Sequence, residues 1–277
     1  MSFRLLKLSV KFFLRLATRL LPSLPGFSFL LDQFLEVVMS EHKTIEHNGI
    51  KLAFSTPNSL CRYRVNTFST KEPSTLLWLE GIPEDSVFWD IGANVGLYSI
   101  YAAAQVHARV FAFEPSVFNL EILARNIFLN RLHHRITIFP FALADTLGPS
   151  LFNMSTTTWG GALSTFGKDT DQHGGRLNTL FEYQTMGLTI DEAVQLLHIP
   201  PPRFIKIDVD GLEHFILRGG VHTLKTVESI LIEIDDHFSE QAEESSRHLH
   251  QAGLTLYRKC DGYAFRQYNQ WWVRANL

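Results

Sequence analysis

Three short stretches put residues able to do chemistry at the ends of apolar runs. In the first, Val87-Phe88-Trp89 leads into Asp90-Ile91-Gly92-Ala93-Asn94-Val95-Gly96, and a Leu- and Ala-rich run from Leu97 to Ala104 follows. Three apolar residues are too few for a helix face but suit a buried parallel strand, whereas the Leu/Ala run suits a helix. Strand, glycine turn and helix make the first half of a nucleotide-binding βαβ unit. The glycines let backbone approach a ligand where a Cβ would collide, and the helix N-terminus offers unpaired N–H groups. In the second stretch, Val110-Phe111-Ala112-Phe113 ends in Glu114, 18 residues after Gly96. That distance fits one crossover helix and one return strand, so Glu114 is expected beside the glycine turn, where a carboxylate can accept hydrogen bonds from both hydroxyls of a ribose. In the third, Ile205, Ile207 and Val209 alternate with Lys206, Asp208 and Asp210. Asp208 falls at the carboxyl end of that strand, where ligands bind in open α/β sheets, and can take a proton from a hydroxyl.

The glycine spacing discriminates between nucleotides. A dinucleotide fingerprint needs G-x-G-x-x-G; here the middle position holds Asn94 and the next glycine is Gly96. A carboxylate two residues ahead of the first glycine suits a ligand with a cationic end, such as S-adenosylmethionine (SAM), which carries an ammonium and a sulfonium. The expected cofactor contacts are Asp90, Gly92, Asn94, Gly96 and Glu114.

Taken together, Asp90 to Gly96, Phe113-Glu114-Pro115-Ser116 and Ile205 to Glu213 resemble the FkbM family of SAM-dependent methyltransferases, in its order and spacing and over roughly residues 60–275. One departure is Asp210, where the family usually has Glu. The resemblance implies a doubly wound, mostly parallel α/β sheet (the Rossmann-like methyltransferase fold) with an antiparallel last strand. It also implies adenine held by the loop after a third strand, Ile136 to Phe139. Phe141, Ala142 and Leu143 would then line the ring, and Asp145 would either meet its amino group or simply end the strand. Implied acceptors are small molecules or glycans such as sugars, polyketides and glycolipid headgroups, including lipid-linked ones.

The expected reaction is methyl transfer to a hydroxyl oxygen. Asp208 would serve as base, or would hold magnesium or calcium together with Asp235 or Asp236, as in catechol-type methyltransferases. His214 and His237, each near a strand end, are alternative bases. Two other classes stay open: a SAM-fold protein that binds without catalysis, and an NAD-dependent oxidoreductase, which the missing middle glycine disfavours.

Around these motifs, 277 residues with 45% hydrophobic content allow one large domain with an appendage, and a net charge of −3 argues against a general nucleic-acid binder. Cys61 and Cys260 give neither a disulfide framework nor metal-site spacing. Residues 1–40 form a basic N-terminal segment in which Arg4, Lys7, Lys11, Arg15 and Arg19 recur every turn, with no acid before Asp32. This amphipathic pattern reads as peripheral contact of residues 1–21 with anionic lipid, on the inner membrane surface of a cytoplasmic protein, as a mitochondrial presequence, or as a helix docked on the domain or a second subunit. Residues 41–82 are expected to form a hairpin and a helix packing over the cofactor cleft. The methyltransferase domain is placed at 83–277, with an insertion at 149–188 that carries a hairpin and covers the acceptor site. The tail from Leu254 supplies the antiparallel edge, with strand-like segments at Tyr263 to Arg266 and Gln270 to Arg274. Strands at Phe204 to Val209 and Ile230 to Asp235 are expected as neighbours, pairing Lys206 with Glu233.

Overall fold

In a computed structural model the described residues are 11–12, 14–19, 26–261 and 268–275. Arg4 and Lys7 of the basic pattern, and the segment Tyr263 to Arg266, lie outside them, while Lys11, Arg15 and Arg19 fall in the described helical residues. The chain divides into two compact units, residues 1–42 and 43–277. The first contains helix α1 (Phe27–Ser40), which starts after a left-handed Gly26. Among the described residues no helix is long and apolar enough to cross a membrane.

In the second unit, β1 (His42–His47) and β2 (Ile50–Ser55) form a two-stranded hairpin around Asn48-Gly49, both at positive φ. Three helices follow: α2 (Ser59–Asn66), α3 (Phe68–Lys71) and α4 (Pro73–Glu80). Asn58 caps α2 by accepting the Cys61 N–H at 2.7 Å, and Pro73 occupies the first turn of α4, where its missing N–H costs nothing.

The central sheet alternates strand and helix: β3 (Val87–Ile91), α5 (Leu97–Gln105), β4 (Arg109–Phe113), α6 (Val117–Leu129) and β5 (Ile136–Phe139). After an insertion come α7 (Ile190–Leu197), β10 (Phe204–Ile207), α8 (Glu213–Arg218), β11 (Ser229–Glu233), α9 (Ser239–Gln251), β12 (Leu254–Asp261) and β13 (Tyr268–Arg274). Strand order is β12-β13-β11-β10-β3-β4-β5, with β13 antiparallel to both neighbours and the remaining pairs parallel. Strands β10 and β11 end two residues earlier than their apolar alternation suggests, because the backbone turns away into loops at Asp208 and Ile234.

Residues on the two sides of the sheet follow the period of 2. Trp89, Ile91, Phe111, Phe113, Ile205 and Ile207 pack on one side; Phe88, Val110, Ala112 and Leu231 pack on the other, against α4, α5 and the hairpin. From β3 the chain winds to β4 and β5 in one direction and later to β10 and β11 in the other. The reversal lies between β3 and β10, so their carboxyl ends open a crevice. There Asp208 donates its N–H to the Ile91 carbonyl at 3.1 Å and Gly92 donates its own to Phe113 at 3.0 Å.

The insertion is more than a hairpin. Strands β7 (Gly148–Met154), β8 (Ser164–Phe166) and β9 (Phe181–Leu188) are antiparallel, and short β6 (Ala142–Leu143) joins β9 in parallel. Its base at Thr189 is closed by a capping box with Glu192 that starts α7.

Candidate active site

Two glycines shape the turn after β3. Gly92 and Gly96 have φ of 82° and 81°, the left-handed region open to glycine at no steric cost. A Cβ on Gly92 would lie 1.9 Å from the Asp208 carbonyl oxygen, so the close approach of β3 and β10 depends on its absence. Asn94, also left-handed at φ 50°, is held by its neighbours: its side chain donates to Gly161 O at 2.7 Å.

Glu114 is buried beside this turn. One oxygen accepts the Asn94 N–H at 2.7 Å and the other accepts the Ser116 N–H at 2.8 Å. Burial pushes its carboxyl up to about 7, against the pull of those two amides and of Asn119. Each carboxylate oxygen keeps a further lone pair for a ligand hydroxyl.

A cavity opens here, lined by Gly92, Asn94, Glu114, Asn119, Phe141, Ala142, Leu143, Asp208 and Asp210, and roofed by Phe152, Gly161, Ser164 and Phe166 of the insertion. Asp210, at φ 59°, anchors that roof, since its carboxylate accepts the N–H groups of Leu163 at 2.7 Å and Ser164 at 3.2 Å. A second cavity shares Gly92, Asn94 and Asp208 with the first; its far side comes from α2, α3 and the start of α4 through Arg64, Lys71 and Glu72, and Tyr98 and Lys206 complete it.

Asp208 stands on the wall between the two. Lys206, two residues back on the same face, donates to it at 2.7 Å and also sits over the Tyr98 ring. The expected Lys206–Glu233 pair is therefore not formed directly; both groups meet at Asp208, because the chain curls after Ile207 and brings that carboxylate between them. Burial alone would raise the Asp208 carboxyl, but Lys206, the hydrogen bond with Glu233 and the Lys71 charge outweigh it and hold it well below the usual carboxylate range. Glu233 is driven the opposite way, by burial and then by the Asp208 charge, both of which favour its neutral form.

The other residues singled out in the sequence lie elsewhere. Asp90 is 1% exposed on the α5 side of β3, where Ser99 donates to it, and it lines neither cavity. Gly96 starts α5 against Leu123. Asp145 lies beyond the Phe141–Leu143 wall, 3.4 Å from Arg218. His214 is 1% exposed, packed on Phe215 with neither ring nitrogen hydrogen-bonded among the described residues, and burial lowers it to about 4. His237 is exposed, its Nδ1 3.1 Å from Asp235. The three aspartates of the metal alternative go to different partners: Asp208 to Lys206, Asp235 to His173 and His237, Asp236 to Lys259. Among the described residues no group of three ligating side chains is assembled for a cation. Arg64, Lys71, Glu72, Asn119 and Asp210 also build the walls; the Asp-Gly pair at 210–211 is the one local sequence signal among them, and the others depend on tertiary contact.

The residues present fit an adenosine sulfonium. A paired-amide carboxylate faces the cavity for ribose, Phe141 to Leu143 give a flat apolar strip for a purine, and carboxylates rather than phosphate-binding amides surround the turn.

Comparison with known proteins points the same way. A sequence profile described as Methyltransferase FkbM domain matches residues 90–261. Hexuronic acid methyltransferase AglP of Haloferax volcanii is 27% identical over 210 residues, covering 76% of this chain and 80% of its own. Methyltransferase sdnD of Sordaria araneosa is 26% identical over 168 residues, covering 51% of this chain and 62% of its own. The solved structure of methyltransferase FkbM from Methylobacillus flagellatus superposes with a TM-score of 0.50 at 14% identity, over 79% of this chain and 53% of that one, a likeness of fold. With the profile spanning the glycine turn, Glu114 and Asp208, the chain belongs to the FkbM family of SAM-dependent methyltransferases.

Proposed function

We propose that the chain methylates a hydroxyl oxygen of a sugar, glycolipid headgroup or other small molecule, with Asp208 as the group that receives the acceptor. The observation that carries this reading is the position of Asp208, ionised between Lys206 and Glu233 on the wall shared by the two cavities. Glu114 would hold the ribose hydroxyls, the Gly92–Asn94 turn would pass under the sulfur, and Ala142 and Leu143 would lie along the purine. When bound, SAM supplies a methyl group on a positively charged sulfur, already activated for in-line displacement. The protein's part is alignment and management of one proton. The Asp208 anion accepts the hydroxyl hydrogen bond, Lys206 fixes its rotamer, and the roof strands β7 and β8 exclude water. A sugar acceptor is in keeping with the hexuronic acid methyltransferase among the relatives. The family assignment removes the oxidoreductase alternative.

A second acceptor chemistry is favoured by the ion pair of Asp208 with Lys206 at 2.7 Å: a carboxylate so paired is a weak base, and a carboxylate acceptor would need no proton removed. The test is methyl transfer from labelled SAM to a panel of neutral and acidic sugars. Glu114→Ala is expected to lose S-adenosylhomocysteine binding, and Asp208→Asn to keep that binding while losing transfer by about 100-fold or more. Unchanged turnover in Asp208→Asn removes the base role. For residues 1–21 the same proposal holds peripheral contact with anionic lipid, supported by the Lys/Arg recurrence; unchanged vesicle co-flotation after deleting residues 1–25 ends it.

A further inference from the structure

The side of the second cavity that comes from α2 to α4 has no part in the chemistry above, yet it is crowded with charge. Lys71 and Glu72 pair with each other at 2.9 Å, Glu72 also accepts from Thr75 at 3.2 Å, and Lys206 is taken by Asp208 at 2.7 Å. Arg64 is different. Its Nε donates to the Gly160 carbonyl at 2.7 Å, which fixes the plane of the guanidinium, while its terminal amino groups make no hydrogen bond or ion pair among the described residues. A half-buried guanidinium with its plane fixed and its fork unused is the geometry that receives a carboxylate through two parallel N–H bonds. Of the charges on this cavity Lys71 is paired with Glu72 and Lys206 with Asp208, which leaves the Arg64 fork as one uncompensated positive charge among the described residues, matched to a carboxylate rather than to a phosphate dianion.

We propose that the second cavity is a carboxylate socket anchored by Arg64. This rests on the methyltransferase reading above. Two molecules bring a carboxylate to that place: the amino-acid end of the cofactor, which adds an ammonium for Glu72 and Asp208, and an acidic sugar acceptor. Because the cavity shares Gly92 and Asn94 with the first, a ligand whose ribose meets Glu114 reaches it by crossing the glycine turn.

The test is calorimetric titration of the full chain and of Arg64→Gln, with thermal melts to establish folding and Arg64→Lys as a second variant that keeps charge but not the fork. The probes are S-adenosylhomocysteine, 5′-methylthioadenosine, which lacks the amino-acid end, and glucuronate against glucose with the adenosine probe saturating. If the cofactor supplies the carboxylate, Arg64→Gln weakens S-adenosylhomocysteine by about 10- to 100-fold and leaves methylthioadenosine unchanged, with Arg64→Lys between. If the acceptor supplies it, only glucuronate weakens, by a similar factor. Equal affinities for every probe in wild type and both variants overturn the socket while leaving the methyltransferase reading intact. Failure of wild type to bind either adenosine compound overturns that reading instead, and the glucuronate titration then decides the socket alone.

Discussion

Alanine at Gly92 and at Gly96 separates two costs that usually come mixed. Both glycines sit in the left-handed region at nearly the same φ, 82° and 81°, so both substitutions carry the same backbone penalty of about 1 kcal/mol. They differ in what the new methyl meets. At Gly96 the nearest atom is Leu123 Cδ1 at 2.3 Å, the tip of a side chain that can rotate, and the next atom is 3.6 Å away. At Gly92 the nearest atoms are the Asp208 carbonyl oxygen at 1.9 Å and its carbon at 2.9 Å, both backbone. Reaching an ordinary contact of 3.4 Å would require about 1.5 Å of movement at the end of β10, and that movement breaks the bond from Asp208 N–H to Ile91. With the backbone penalty, overpacking of about 1–3 kcal/mol and an orphaned buried amide of similar size bring Gly92→Ala to about 3–7 kcal/mol, against about 1–2 for Gly96→Ala. In a chain of this size that is a fall in Tm of roughly 6–14 °C against roughly 2–4 °C. Urea and thermal unfolding of the two variants side by side measure the difference, and S-adenosylhomocysteine binding should vanish only in Gly92→Ala. If the two variants unfold within about 1 kcal/mol of each other, the close approach of β3 and β10 is not what Gly92 provides.

Other perturbations have equally defined outcomes. Asn126 is buried, accepts the Ser55 N–H and donates to the Val95 carbonyl, both at 2.7 Å; Asn126→Ala strands both groups and should cost about 2–4 kcal/mol in urea unfolding, and a cost near zero would mean the hairpin is held by something else. Glu213 is buried, and burial pushes its carboxyl from 4.5 up to about 7. The folded state therefore holds this proton more tightly than the unfolded chain, so the stabilisation is full below about pH 4.5 and is lost as pH rises through about 7. Glu213→Gln should flatten the fall in unfolding free energy between pH 5 and pH 8 by an amount on the order of 3 kcal/mol; parallel curves for the two proteins would contradict the shift.

The parts of this site that a sequence can display are those built within a few residues. The strand, glycine turn and helix at 87–104 are local, and the distance from Gly96 to Glu114 is set by one helix and one strand, so the reading brought Glu114 to the turn where the Asn94 amide meets it. Asp90 illustrates a limit of motif spacing. Strand parity puts it with Phe88 on the α5 side, away from Trp89 and Ile91, and its partner is Ser99 nine residues later in α5. Lys206 was expected to find an acid, since a buried ammonium needs one, but the partner depends on how the backbone leaves β10, which alternation does not encode. Arg64 and Asn119 were invisible for a different reason. Their roles come from carbonyl and amide groups of Gly160 and Gly161, about a hundred and about forty residues further along the chain, and no periodicity links such positions.

The strip Trp159-Gly160-Gly161 carries a consequence for the order of events in turnover. Its backbone is bonded by Asn58 and Arg64 from the segment before the domain, by Asn94 from the glycine turn, and by Asn119 from α6. It is thus a common hinge-pin for the wall of one cavity and the roof of the other. Were a ligand in one cavity to displace this strip, the turn beside Glu114 and the insertion would be disturbed together. Occupancy of the two cavities would then be linked, and the factor by which the first ligand changes affinity for the second would be the factor by which the second changes affinity for the first.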